Sequence, residues 1–344
     1  MLLPLKCLSV PQLPSVKLSL MIPARERVLT GTELKASIVL DVVEEPGVVL
    51  RELVAEVRGV GRTNWVDLCS DKIYDANQDY IRHVISLAPP GTTLLSGRHQ
   101  YPIQVLLPKD LPSSYESACG SVRYSLRVTM NVQGEKKRLA ENFPFFVVSS
   151  TSFDQVPPSL MRPICCKDDF DFTVCSLPFG RIFLKISVPR LAYQLGETIT
   201  PLVHVKNSAR TTLADCSIQL IMKVQYKAVS RYEHVEEKKL VEERVCESWL
   251  GRIKSQSEMT SFKCRLRAPE DIPPSTMNTA GGALADEGAL IAVSYVLRLH
   301  ALPDVEVEMP VIVTALGFER DAAAALKQKA ARDVGLQRSQ TTDV

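Results

Sequence analysis

Long apolar runs are missing from this chain of 344 residues. None approaches the roughly 18 to 20 uninterrupted apolar residues that a membrane-spanning helix needs, so a soluble protein is expected. A strong charge of one sign is missing as well. The formal net charge is +2, and the lysines and arginines are scattered rather than striped, which excludes the footprint of a nucleic-acid binder. There is no N-x-[ST] sequon, the nine cysteines cannot all pair with one another, and adjacent Cys165 and Cys166 would strain a disulfide between them. Together these point to a reducing, cytoplasmic setting. No G-x-S-x-G, H-E-x-x-H, Walker or dinucleotide-type glycine motif occurs, and His83, His99, His204, His234 and His300 lie scattered. Neither catalysis nor a cofactor is expected.

Residues 1–15, "MLLPLKCLSVPQLPS", are apolar enough to be taken for a signal peptide. Pro4, Lys6 and Pro11 interrupt any apolar core and no A-x-A site follows, so an edge segment of the first domain is expected instead.

What the chain does have is period-two alternation, the mark of strands with one buried face. In "LKASIVLDV", Leu34, Ala36, Ile38, Leu40 and Val42 share a face. In "VRYSLRVTM", Val122, Tyr124, Leu126, Val128 and Met130 do so. "RIFLKISV" turns Ile182, Leu184, Ile186 and Val188 inward, and "SIQLIMKVQYK" does the same with Ile218, Leu220, Met222, Val224 and Tyr226. Turn clusters "EEPG", "APPGTT", "LPKDLPSS" and "APEDIPP" separate such runs, and no β-α-β alternation occurs. "HVEEKKLVEERV", rich in Glu and Lys, is read as strand, turn and strand rather than helix.

The phrases also repeat. "LTGTEL" from Leu29 matches "QLGETI" from Gln194, "LPKDLPSS" matches "APEDIPPS", "VRYSLR" matches "VSYVLR", and "FPFFVV" from Phe143 matches "MPVIVT" from Met309. Tyr124 thereby aligns with Tyr295 and Arg127 with Arg298. A spacing that long marks a duplicated domain rather than a solenoid. The expected fold is all-β: two tandem, immunoglobulin-like antiparallel β-sandwiches over 1–150 and 164–318, a proline-bearing linker over 151–163, and a helical or disordered tail over 319–344.

The residues themselves resemble the arrestin superfamily, and within it the α-arrestins, or arrestin domain-containing proteins. The likeness rests on "LLSGRHQYPI" from Leu94, "LPSSYESACGSVRY" from Leu111, the vicinal Cys165 and Cys166, "GRIFLKISVPRLAYQLGETI" from Gly180, and Trp249, Gly251 and Arg252 in a "WxGK"-like phrase. It implies arrestin-like sandwiches in a non-enzymatic adaptor. Such an adaptor binds cytoplasmic tails of membrane proteins, links them to endocytic trafficking, sorting or ubiquitination, and is recruited peripherally to plasma membrane or endosomes. The P-P-x-Y motifs by which many members recruit WW-domain ubiquitin ligases are lacking, so a ligase would have to be engaged by an indirect route. Alternatives are an arrestin-fold subunit of a retromer-like coat, or a thiol-dependent, thioredoxin-binding redox regulator.

Candidate site residues are few. Cys246 lies in "RVCESWLGR", similar to the phrase around the reactive cysteine of thioredoxin-interacting protein. Arg244 would lower its pKa while Glu243 and Glu247 would raise it. Thr342, Asp343 and Val344 fit a carboxyl-terminal PDZ ligand. Arg25 and Arg27, with Lys136, Lys137 and Arg138, are candidate contacts for an acidic partner. The vicinal pair in the set Cys165, Cys166 and Cys175 lacks the spacer that lets two thiolates reach one zinc ion, so packing or a linker role is expected. The function of the glycine-bearing loop 278–288 is not legible.

Overall fold

The alternation becomes strand after strand in the computed structural model, which describes residues 16–21, 27–135, 138–174, 177–277, 289–302 and 305–316. The chain divides into two compact units, Met1–Ser149 with Ala228–Glu236, and Ser150–Lys227 with Glu237–Val344. The expected tail and the loop 278–288 lie outside the described residues.

In the first unit the strands are β1 (Val16–Met21), β2 (Val28–Leu29), β3 (Glu33–Asp67), β4 (Lys72–Ala88), β5 (Thr93–Leu106), β6 (Tyr115–Glu116), β7 (Gly120–Val132), β8 (Leu139–Phe145) and β9 (Val147–Val148). β3 serves both layers. Its first half pairs with β1 and β5, and from Leu50 onward it pairs with β7 and then β4. The alternating residues Leu34, Ile38 and Leu40 from one layer, and Val57, Leu126 and Val128 from the other, are buried as the pattern requires. Each fully buried side chain of this size contributes roughly 1.5–3 kcal/mol. Gly59 lies opposite Tyr124 in register, and a Cβ there would stand 2.4 Å from Cε1 of that ring. The missing side chain is what makes room for the tyrosine. At the other end of β4, Val229 and Ser230 pair with Asp75 and Tyr74, and Arg231 donates to Asp75 at 2.8 Å.

In the second unit the strands are β10 (Ile164–Val174), β11 (Leu177–Val188), β12 (Ala192–Gln194), β13 (Thr198–Ile199), β14 (Leu202–Asn207), β15 (Leu213–Ser230), β16 (Glu236–Ile253), β17 (Ser257–Lys263), β18 (Leu266–Arg267), β19 (Ile291–Leu302) and β20 (Val305–Thr314). One layer runs β10-β11-β14-β17, and the other joins β12, β20, β19, β15 and β16. Ile182, Leu184 and Ile186 are buried in the first layer, and Leu220, Tyr226, Tyr295 and Leu297 in the second. Phe153 and Val156, in a segment of short 3-10 turns, are buried with Ala192 and Ile312.

The stretch drawn as strand, turn and strand is simpler than that. A turn over 231–235 ends before Glu236, and one uninterrupted strand follows. No Gly, Pro, Asn or Asp stands between Glu236 and Leu250 to break it, and pairing with β15 outweighs the helix propensity of its Glu and Lys residues.

The duplication reaches individual hydrogen bonds. β2 and β9 pair in parallel in the first unit, as β12 and β20 do in the second. Gly31 (φ +75°) donates its N–H to Leu107 O, and Gly196 (φ +80°) donates to Ala268 O. Ser114 clamps Val147 from two sides: its N–H donates to Val147 O at 2.8 Å and its Oγ accepts Val147 N–H at 2.9 Å. Ser275 repeats both bonds on Val313, at 2.7 and 2.9 Å. The expected tandem sandwich is the fold observed.

Candidate functional site

The phrases that carry the family resemblance are largely occupied in holding turns. Arg190 lies over the rings of Phe153 (5.1 Å) and Tyr193 (5.5 Å) and pairs with Glu197, whose Oε2 accepts the Gln194 N–H at 2.9 Å. Arg123 grips Glu116 with two hydrogen bonds of 2.7 and 2.6 Å, and Ser117 Oγ accepts the N–H groups of Cys119 and Gly120. Polar atoms satisfied within their own turn have little left to offer a partner. A binding surface has to be sought on faces and edges.

Cys246 lies on β16, half-buried, and burial pushes its thiol up, opposed by a weaker hydrogen bond from the Leu220 backbone. The nearby cation is engaged elsewhere, since Arg244 pairs with Glu247 at 3.1 Å. This pocket favours thiol over thiolate. Cys165 and Cys166 point to opposite faces of β10. Cys165, opposite Ser187, is exposed, while Cys166, opposite Ile186, has its Sγ 3.7 Å from Glu308 O. Among the described residues no group of three or more His, Cys, Asp and Glu could hold a metal ion. Arg138 donates to Glu52 at 3.0 Å, and Arg27 is exposed. Arg25, Lys136, Lys137, Cys175, Thr342, Asp343 and Val344 lie outside the described residues.

One constellation was missed at the level of sequence. Lys223 on β15, Glu242 on β16, Arg298 on β19 and Glu308 on β20 form a closed square of alternating charge. Lys223 Nζ reaches Glu308 at 2.6 Å and Glu242 at 3.2 Å, and Arg298 Nη2 reaches the same carboxylates at 2.5 and 2.6 Å. Burial by itself would lower Lys223, but hydrogen bonds to Glu308 and Glu242 outweigh it and hold the amine above its ordinary value. Burial likewise works to raise Glu308, and Lys223 and Arg298 outweigh it, keeping the carboxyl below the usual range. The sequence places Lys223 and Arg298 on the outward parity of their strands but does not say which carboxylates they meet. Since its charges cancel internally, this square fastens four strands and leaves no free charge for a ligand.

The edges remain. Among the described residues β16 pairs only with β15, which leaves the backbone N–H and C=O groups of its other edge open over 18 residues. Trp249 and Leu240, 63% and 57% exposed, stand on this strand. In the first unit β8 is open in the same way beyond β7.

Residues 42–152 match the N-terminal domain of arrestin (or S-antigen), and residues 178–318 match its C-terminal domain. Arrestin domain-containing protein 15 of Caenorhabditis elegans is 40% identical over 306 residues, spanning 89% of this chain and 80% of that protein. Arrestin domain-containing protein 5 of Homo sapiens is 23% identical over 233 residues, 64% of this chain and 66% of the relative. Arrestin domain-containing protein 1 of Homo sapiens is 23% identical over 169 residues, and the matched region covers only 39% of its length. With both domain types matched in order, two sandwiches stitched alike, and a relative this similar over most of the chain, the protein belongs to the arrestin domain-containing family.

Proposed function

We propose that this chain is a non-enzymatic adaptor of the α-arrestin type, holding cytoplasmic segments of membrane proteins and linking them to endocytic trafficking, sorting or ubiquitination. The observation that carries the reading is the open edge of β16. An extended tail pairs with such an edge through main-chain hydrogen bonds, while exposed side chains such as Trp249 supply apolar contacts. Family membership supports the same reading. The half-buried, protonated Cys246 lends less support to a thiol-exchange regulator than the edge lends to an adaptor.

Proximity labelling in living cells should enrich integral membrane proteins together with endocytic sorting factors. A stable, stoichiometric set of soluble coat subunits in their place would transfer the chain to the coat reading. Hydrogen exchange then locates the contact: alternate amides of β16 should become protected when a labelled cytoplasmic tail is bound. Exchange unchanged along β16 in the bound state would remove the edge as the docking element.

A further inference from the structure

The outer face of the β10-β11-β14-β17 layer carries cations set directly against one another. Lys167 lies opposite Lys185 in register, and Lys185 lies opposite His204, which ends the row against Ser261. One rung away Leu202 lies opposite Lys263, and one rung to the other side Phe183 lies opposite Lys206. Like charges directly opposed across an antiparallel pair destabilise it. Here no carboxylate relieves them: among the described residues Lys167, Lys185, Lys206 and Lys263 have no ion-pair partner. The carboxylates in register on this face both stand on the edge strand β10: Asp169 lies opposite Phe183, in the same rung as Lys206, and Asp171 lies opposite Arg181, which engages it at 2.8 Å. Glu258 belongs to the irregular stretch of β17 opposite Val205–Asn207, outside the paired register.

We propose that this face docks on an anionic lipid surface. Three features favour a membrane over a phosphorylated peptide. The charges are lysines, compact point charges without the planar fork that grips one phosphate from two sides. They spread over four strands, about 14 Å of flat sheet, so a plane of headgroups meets them all together and a single peptide phosphate does not. Phe183 and Leu202, half-buried among them, present apolar surface at the level of the lysine stems. Asp169 and Asp171 occupy one corner of the face, on β10, and their repulsion of anionic headgroups tilts that corner outward and fixes the orientation. This inference deepens the adaptor reading by naming the surface such a protein would be recruited to, but it stands on lipid alone and needs no cargo.

The test is flotation of the full chain with vesicles of phosphatidylcholine, with and without added phosphatidylserine. Binding should require phosphatidylserine, weaken with salt, and persist in millimolar inorganic phosphate. Each lysine neutralised should cost about five-fold in partitioning, so K167Q with K185Q should lose about 25-fold. An R62Q and R127Q double variant, changed on the other unit, should bind as the parent does. Because the lysine variant removes opposed like charges, its melting temperature should hold or rise, which separates lost binding from lost folding. The proposal is overturned if uncharged vesicles bind equally well, if the lysine variant keeps its affinity, or if a phosphopeptide shows the lysine dependence and the vesicles do not. Exchange protection of β16 by a cargo tail is read separately, so either idea can fail without the other.

Discussion

Tyr295 donates its phenolic hydrogen to the carbonyl oxygen of Pro273 at 2.5 Å, and Tyr124 donates to Pro112 in the same way at 2.6 Å. Each ring is buried, so each bond ties a core strand to the proline turn that precedes it. Both acceptor prolines are only half-buried, so losing the donor costs about the net worth of one hydrogen bond, roughly 0.5–1.5 kcal/mol. Y295F and Y124F should each lower stability by about that much, read as a shift in urea midpoint at unchanged slope. A change below a few tenths would show that the bond is not maintained in solution.

Burial also raises the phenols. Tyr193 is pushed from 10.0 up to about 12, and Tyr124 is raised further for the same first reason. A group whose folded-state value lies above its unfolded one stabilises fully below the unfolded value and loses that contribution as pH climbs towards the folded one. Stability should therefore fall between pH 10 and 12. Y193F should flatten the part of that decline due to Tyr193, as followed by denaturation curves across the interval.

Gly59 and Tyr124 form a steric pair, with Ile81 Cγ2 2.9 Å from the same Cβ position. G59A should destabilise by about 1–3 kcal/mol through overpacking. Combining it with Y124L should recover part of the loss, so a double-mutant cycle should show coupling rather than additivity.

Removing Glu308 leaves Lys223 and Arg298 to share Glu242. E308Q should cost about 1–2 kcal/mol at neutral pH, less than breaking a fully buried pair because the square is partly exposed. Glu242 and Glu308 are held below the ordinary 4.5, so their contribution is present above that value and lost as pH falls through and below it. The gap between parent and variant should close on acidification. A gap constant with pH would mean that packing, not charge, is what was lost.

Alkylation followed by mass spectrometry tests the cysteines. Exposed Cys69 and Cys165 should be labelled well before half-buried Cys246, whose thiol burial raises. Under mild oxidation C246S should capture thioredoxin no less than the parent does. Reversed labelling order together with lost capture would restore the redox reading.

Alternation and repetition were legible because a strand with one buried face must write its pattern every second residue. Leu34, Ile38, Ile182 and Leu220 are all in the cores where the pattern placed them. The echo that aligned Tyr124 with Tyr295 marked a shared hydrogen bond, not just a shared ancestry. "EEPG" has the residues of a turn that separates two runs. The strand instead bends through it, with Gly47 at φ +130° pressed against Leu94 O, and resumes towards the opposite layer. The charged square and the lysine row that ends at His204 were illegible for one reason. Lys167, Lys185 and His204, like Lys223, Glu242, Arg298 and Glu308, are brought together only by cross-strand register, which no local pattern of residues specifies.

The serine clamps on Val147 and Val313 have a consequence for biosynthesis. In each unit the parallel rung and the two-sided clamp are made by nearly the last strand to be translated, so neither sandwich can shut until its finishing residues leave the ribosome. Once Val148 has emerged, the first has both partners of its clamp, with only residues 228–236 still to be added beside β4, while the second is a nascent thread awaiting Thr314.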